Sequence, residues 1–374
     1  MDKKRRSRKS IKIQRLRQSS KNRLQSNDKL SLRQKIVRED KQSDYQIEWG
    51  KFVPELEERS IVKWQQVSFL SVMGDAPKDF ITDREEQILQ RTRKIPFNRY
   101  IAKVGSKFYP IESVVEQYLT HVGQCYELKI ADSKLRIVAG QVRFMSKYFL
   151  HKYEQLTHGA EILALSIGKA EYKQIEEKKM ESEYFSFQMV CEAIAAAFPD
   201  ENDEIIGGLI EMLTFDALIG HNDRHPYNWG VIVPLKKNKK PSFSPVYDTA
   251  RALFWNVPEN RVKQMMTDRN QLDKYIRKCE PPFCWDKETN VDFFRLIGLI
   301  WNGYERHQDK IETFLNVAPL DDSIQILDAD FSRLMSAERR ELIKRCLHLR
   351  HKLLSEAINS FRRKGGKSNG DKNN

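Results

Sequence analysis

The chain has 374 residues, 40% hydrophobic and 10% aromatic, which is enough apolar material for a real core and excludes a wholly disordered protein. Its net charge of +13 is concentrated at the ends: residues 1–40 carry fifteen Lys/Arg against four Asp/Glu (+11) and residues 359–374 five against one (+4), leaving residues 41–358 near neutral at −2. No run approaches the roughly 18 apolar residues of a membrane span; the best, Phe293–Trp301, is broken by Arg295, and Met1–Ser10 is too charged for a secretory leader. The cysteines Cys125, Cys191, Cys279, Cys284 and Cys346 form no Cys-x-x-Cys pair and no Cys/His array, which points to reduced thiols and a cytoplasmic setting, with a secreted effector as the other location.

In chain order, residues 1–40 form a basic arm without Gly, Pro or aromatic residues, expected to be disordered and suited to an anionic partner. From Tyr45 to Ile81 the chain turns mixed, with Trp49, Phe52, Val53, Ile61, Val62, Trp64, Val67 and Phe69 as core candidates. Asp83–Thr92 reads as a charged helix, Phe97–Val104 as a strand, and Ile111–Gln124 as an amphipathic helix with Val115, Leu119 and Val122 on one face. Strands follow at Lys134–Val138 and Gln141–Met145, closing a small β-rich lobe over residues 41–150. Residues 151–358 read as a larger helical lobe, with helices at Met180–Phe198, Glu204–Ile219, Val291–Val317 and Ser336–Phe361. One hairpin interrupts them, with strands Trp229–Leu235 and Ser242–Tyr247 and a lysine-rich tip; residues 359–374 form a basic tail expected to be disordered. The expected class is therefore α+β and two-lobed, the large lobe carrying a β hairpin.

The densest polar cluster is His221-Asn222-Asp223-Arg224-His225-Pro226-Tyr227-Asn228, between an apolar helix that Gly220 stops and an apolar strand. Asp223 and Asn228 are five apart, and the hairpin should return Asp248 beside Asn228. These are hard oxygen donors suited to Mg²⁺, and phosphoryl transfer needs such a set: an Asp to orient the acceptor hydroxyl, with an Asn and a later Asp to hold the metal. A turn whose Asp and Asn cap backbone groups explains the same spacing. Lys103 lies in an apolar strand and needs either an anionic partner or a solvent-facing position, and Glu116 on the next helix is the natural carboxylate. In Ser71-Val72-Met73-Gly74-Asp75-Ala76-Pro77-Lys78, Gly74 would let backbone approach phosphate and Lys78 would add charge; by generic motifs the segment is a surface turn. Thr249 and Arg251, just after Asp248, fit either an activation segment or the start of a helix.

Together these residues resemble the HipA-like serine/threonine kinases, including the shorter CtkA-like members. The carrying motifs are Ser71, Gly74 and Lys78; Lys103; Glu116 followed by Leu128-Lys129-Ile130; Asp223, His225 and Asn228; and Tyr247-Asp248. The resemblance runs from about Ser71 to Phe254 and implies a bilobal protein-kinase-like fold related to phosphoinositide kinases. It implies Asp223 as catalytic base with His225 supporting the loop, and Asn228 and Asp248 as Mg²⁺ ligands. ATP would be bound by Lys103, Glu116 and the phosphate loop, with the segment Ser146, Lys147, Tyr148 and Phe149 as the interlobe hinge against adenine. Ser71 is similar to a serine that this family autophosphorylates. The resemblance does not extend to the extra N-terminal subdomain of the larger HipA proteins.

The function expected from this reading is ATP- and Mg²⁺-dependent phosphorylation of a protein serine or threonine. Asp-Arg-His-Pro-Tyr-Asn is equally similar to the loop of phosphoinositide-kinase-related enzymes, so a lipid headgroup or small-molecule acceptor is the alternative. A third reading, from another class, is a non-catalytic nucleotide-responsive protein whose arm holds nucleic acid, with salt-sensitive binding lost when residues 1–40 are removed.

Overall fold

Short alternating runs build the first sheet: β1 (Trp64–Gln66), β2 (Lys78–Asp83), β3 (Arg99–Val104), β4 (Ser133–Val138) and β5 (Gln141–Lys147). The computed structural model describes residues 64–66, 78–83, 98–105, 111–138, 141–236, 239–286 and 288–368. The strands pair antiparallel in the order β1-β2-β3-β5-β4. Along β3 the burial alternates, Tyr100 and Ala102 being inside and Ile101 and Lys103 half-buried, as period-two geometry requires. Asp83, read as opening a helix, ends β2 instead, while 84–92 lie outside the described residues, as do Ser71, Gly74, the arm 1–40 and most of the mixed segment 45–81.

Between β3 and β4 runs helix α1 (Ile111–Cys125). Val115, Leu119 and Val122 are buried as its periodicity requires, but so are Ser113, Gln117 and Thr120, because the helix is covered on two sides. One side packs on β4 and β5, and the other meets the C-terminal part of the chain. There Tyr118 Oη donates to Ser323 O at 3.3 Å, and the Tyr126 ring stacks on Phe314 with centroids 5.0 Å apart. After α1 the chain crosses back through a parallel bridge between Ile130 and Val246, fixed by Ala131 N–H to Val246 O (2.8 Å) and Val246 N–H to Lys129 O (2.7 Å).

The second part opens with β6 (Glu154–His158), which sequence periodicity missed, followed by α2 (Gly159–Ile167), α3 (Lys169–Lys178) and α4 (Glu181–Tyr184). The helix expected over Met180–Phe198 is two: α4 ends, Phe185 and Phe187 exchange backbone hydrogen bonds with Cys284, and α5 (Phe187–Ala197) begins with Ser186 capping Met189 N–H. Helix α6 (Asn202–Ile219) is buried along most of its length and leads into the polar loop. The hairpin is β7 (Gly230–Pro234) and β8 (Ser242–Phe243), with β6 pairing β7 as a third strand. The strand expected to reach Tyr247 ends at Phe243, two residues before Pro245.

Turns then lead to α7 (Glu259–Thr267) and α8 (Arg269–Arg277), neither legible from the sequence. The long helix expected over Val291–Val317 is broken into α9 (Phe293–Gly303), a 3₁₀ turn, α10 (Gln308–Glu312) and a second 3₁₀ turn before α11 (Val317–Asp330). Helix α12 (Ala337–Ser368) closes the fold and continues past Asn359, where disorder was expected. Its apolar stripe, including Leu342, Cys346 and Leu347, packs behind α6, α7 and α9. Two of its arginines are buried and bond chain carbonyls: Arg350 donates to Ala217 O and Ile276 O (2.8 and 3.2 Å), and Arg339 to Phe254 O (2.8 Å) as well as pairing with Glu259. The result is the two-lobed α+β arrangement, a β-rich small lobe and a helical large lobe with the hairpin between them.

Gly220, the helix stop, sits at φ 71°, and a Cβ there would meet the Arg350 guanidinium carbon at 3.0 Å. Gly220→Ala should therefore lower the unfolding free energy by about 1–3 kcal/mol, from left-handed backbone strain and displacement of Arg350. Chemical denaturation of the two proteins reads this directly.

Candidate active site

Each expected element of the site arrives from a different part of the fold. β3 carries Lys103, α1 carries Glu116, and the turn after the hairpin carries Asp248. Lys103 Nζ donates to Glu116 Oε1 at 2.7 Å and to Asp248 Oδ1 at 2.8 Å. This decides between the two readings of Lys103: it faces inward, onto two carboxylates. Burial pulls the ammonium pKa down, but the two carboxylates overcome it, and the group is held well above its ordinary range. Lys103 is thus a permanent cation in the cleft. Burial pushes the Glu116 carboxyl up while Lys103 pulls against it, and only the ammonium lets a carboxylate be buried there.

Lys78 opens β2 directly across from Lys103 in the strand register. On the other side of β3, β5 leads into Ser146–Phe149, the segment expected as a hinge. Ser146 pairs across to Ile101 and Ser133, Lys147 N–H donates to Asp132 O, and Tyr148 N–H donates to Arg99 O. The Phe149 ring lies 5.8 Å from that of Tyr247, so the connection between the two sheets touches the residue preceding Asp248.

Polar groups buried beneath the cluster at 221–228 hold it in shape. Arg224 is buried and makes a two-pronged ion pair with the buried Asp216, Nε to Oδ2 at 2.7 Å and Nη2 to Oδ1 at 2.9 Å. Its Nη1 donates to Asn228 O and to Tyr247 O, both at 2.8 Å. One guanidinium therefore ties the end of the loop to the strand end that delivers Asp248, and the hairpin return inferred from the sequence is realised. His221 completes the link: its Nδ1 accepts weakly from Asp223 N–H at 3.5 Å, and its Nε2 donates to Asp248 O at 3.1 Å. Asp248 itself stands at φ 56°, a left-handed conformation rare for a residue with a side chain, and this bonding holds it there. His225 is exposed; its Nδ1 accepts from Tyr227 N–H and its carbonyl from Asn228 N–H, shaping the turn between them.

Asp223 lies at the open rim. Burial pushes its carboxyl above the ordinary range, assisted by Asp248 and opposed by Arg251 and His225. The Asn228 amide nitrogen donates to Asp223 O at 2.8 Å, which leaves the amide oxygen as the donor atom toward a cation. With the Asp248 carboxylate this gives two hard oxygen ligands, and no group of three or more His, Cys, Asp or Glu side chains suited to a metal occurs among the described residues. A sparse oxygen set suits Mg²⁺, which keeps waters and substrate phosphates as its other ligands. The residues fit the ion.

Sequence reasoning missed Asp216, Arg224 and His221 as structural parts of the site. A charged residue in the last turn of an otherwise apolar helix end was the visible trace of Asp216, but nothing in the spacing named Arg224 as its partner.

Fold and site together define a kinase-like scaffold, with the Lys103 cluster where sheet and helices meet. The chain matches the model of the HipA-like C-terminal domain over residues 70–295, and it belongs to that family. Among solved structures it is similar to the Helicobacter pylori proinflammatory kinase CtkA, with TM-score 0.60 and 17% identity over 79% of this chain and 95% of that one. A weaker likeness is to the Shewanella oneidensis MR-1 HipA–HipB–operator DNA complex, with TM-score 0.49 and 14% identity over 78% of this chain and 67% of that one. A search of curated proteins found no match. No helix among the described residues is long and apolar enough to cross a membrane.

Burial pushes the His221 imidazole down to about 4, with Arg224 adding to the fall. An unfolded histidine takes up its proton near pH 6.5, whereas the folded one stays neutral, so its contribution to folding is lost as pH falls from about 6.5 toward 4. The loss amounts to about 3 kcal/mol over that window. His221→Gln, which keeps a donor for Asp248 O without a titrating ring, should show a correspondingly smaller drop when unfolding is measured at pH 7 and pH 4.5.

Proposed function

We propose that the chain is an ATP- and Mg²⁺-dependent serine/threonine protein kinase of HipA-like type. The observation that carries this reading is Lys103 Nζ held at 2.7 Å from Glu116 and 2.8 Å from Asp248, with Asp248 bound through His221 and Arg224 to the loop that bears Asp223. Phosphoryl transfer calls for this combination of a fixed cation, a metal carboxylate and a nearby base.

In this reading Lys103 orients the phosphates of ATP and Glu116 holds Lys103 in place. The segment 71–78 covers the phosphates, and Ser146–Phe149 borders the adenine. Asn228 and Asp248 would hold Mg²⁺, which when bound would offset the negative charge of the phosphates. Asp223 accepts the proton of the acceptor hydroxyl as its oxygen bonds to the γ-phosphorus and the bond to ADP breaks. The raised Asp223 carboxyl suits a base that must lose the proton again. The half-exposed position of Asp223 favours a bulky acceptor, a protein segment, over a small molecule enclosed in a pocket. Its own chain is the first acceptor to examine, Ser71 included, and the basic arm supplies a docking charge for an acidic partner.

Incubation with ATP and Mg²⁺ should add about 80 Da per phosphate to the intact wild-type mass and nothing to Asp223→Asn or Asp248→Asn, both of which keep side-chain size. Peptide mapping then shows whether Ser71 carries the group. Full modification of both variants would overturn the site. Phosphate appearing only on an extracted lipid or small product would move the acceptor to that class.

A further inference from the structure

Asp223 has one side-chain ion-pair partner among the described residues, and it comes from outside the loop. Arg251 Nε lies 3.3 Å from Asp223 Oδ2, both side chains being partly open to solvent at 42% and 36% exposure. The guanidinium is itself placed from two directions. Its carbon lies 5.1 Å from the centroid of the Trp255 ring, a cation–π distance, and the Arg251 carbonyl accepts from Asn222 N–H at 3.2 Å. The segment 248–258 therefore runs alongside the catalytic loop instead of entering a helix, and α7 starts only at Glu259.

This arrangement matters because little else fixes the carboxylate. The other members of the loop are locked by buried bonds: Arg224 by Asp216, and His221 by Asp248. The Asn228 side chain bonds the backbone of Asp223 and leaves its carboxylate alone. Without a partner, an Asp at a half-open rim samples several rotamers, and a misplacement of about 1 Å can cost a hundredfold in rate. Contact through Oδ2 leaves Oδ1 to meet the acceptor hydroxyl. A guanidinium stacked on an indole is a stiffer anchor than a lysine, whose ammonium lacks the planar face.

We propose that Arg251, braced by Trp255, is a positioning residue that holds the Asp223 carboxylate in the orientation used for proton removal. The proposal rests on the reading of Asp223 as the base. It also gives a function to the segment after Asp248: with only Thr249 and Ala250 between Asp248 and Arg251, the same stretch of backbone sets both the metal carboxylate and the base.

The test follows total loss of the γ-phosphoryl group from ATP, whether to the chain or to water, in the full-length protein with Mg²⁺. Arg251→Gln should lower kcat by about 10- to 100-fold while KM for ATP stays within about threefold, because Arg251 acts on the base and leaves the nucleotide alone. Arg251→Lys should recover part of the rate and Trp255→Leu should lose part of it. On an Asp223→Asn background, Arg251→Gln should have no further effect. An Arg251→Gln kcat within twofold of wild type, or an equal loss on both backgrounds, would overturn the proposal. Full turnover by Asp223→Asn alone would instead remove the base assignment, and this proposal with it. A crystal structure of Arg251→Gln supplies a readout independent of turnover: the Asp223 carboxylate should leave its wild-type rotamer, and an unmoved carboxylate would count against the role.

Discussion

Lys103 is the junction on which the rest of the site depends. Its ammonium reaches a carboxylate on α1 and another after the hairpin, so sheet, helix and large lobe meet at one nitrogen. A lysine buried in a strand without such partners would shed its proton or turn outward, and either carboxylate buried without the lysine would be destabilised. The three groups therefore specify one another. Breaking the pair costs more than the pair itself contributes, which makes it a device for fixing geometry more than for adding stability.

Around that junction the fold shows a consistent division of tasks. Buried ions hold backbone in place: Asp216 paired with Arg224 under the loop, Arg339 and Arg350 on α12 against chain carbonyls. Half-exposed ions lie at the open side of the loop: Asp248, Asp223 and Arg251. Helix α1 is bound to both parts, packing on the sheet and bonding Ser323 and Phe314 in the C-terminal region. Glu116 is consequently placed by the large lobe as much as by the small one, and the bridge between Ile130 and Val246 ties the same crossing to the strand end before Asp248.

Much of this was legible in the sequence, for identifiable reasons. Lys103 showed itself as a charge in an apolar strand, Glu116 as a carboxylate on the next amphipathic helix, and Asp223, Asn228 and Asp248 as polar residues at the two ends of a hairpin. Gly220 marked the helix end, and its left-handed φ explains the mark. What escaped depended on partners distant in the chain. β6, with the sequence Glu-Gln-Leu-Thr-His, has no apolar alternation and exists because β7 supplies its hydrogen bonds. The helix expected over Met180–Phe198 breaks where Cys284 competes for its backbone, and no local pattern announces a competitor a hundred residues away. Arg224 read as one more charge in a polar loop; its burial against Asp216 is a tertiary fact. Ser71 and Gly74 lie outside the described residues and remain a motif.

In the proposed function Lys103, Glu116 and Asp248 form a nucleotide site completed by a divalent cation. Calorimetric titration of ATP into the full chain, with and without Mg²⁺, tests it most directly when wild type, Asp248→Asn and Asp223→Asn are run side by side. Wild type should bind tightly only with Mg²⁺, Asp248→Asn should lose that dependence, and Asp223→Asn, whose residue acts on the acceptor, should bind nearly as wild type does. Binding that ignores Mg²⁺, or that is identical in wild type and Asp248→Asn, would contradict it.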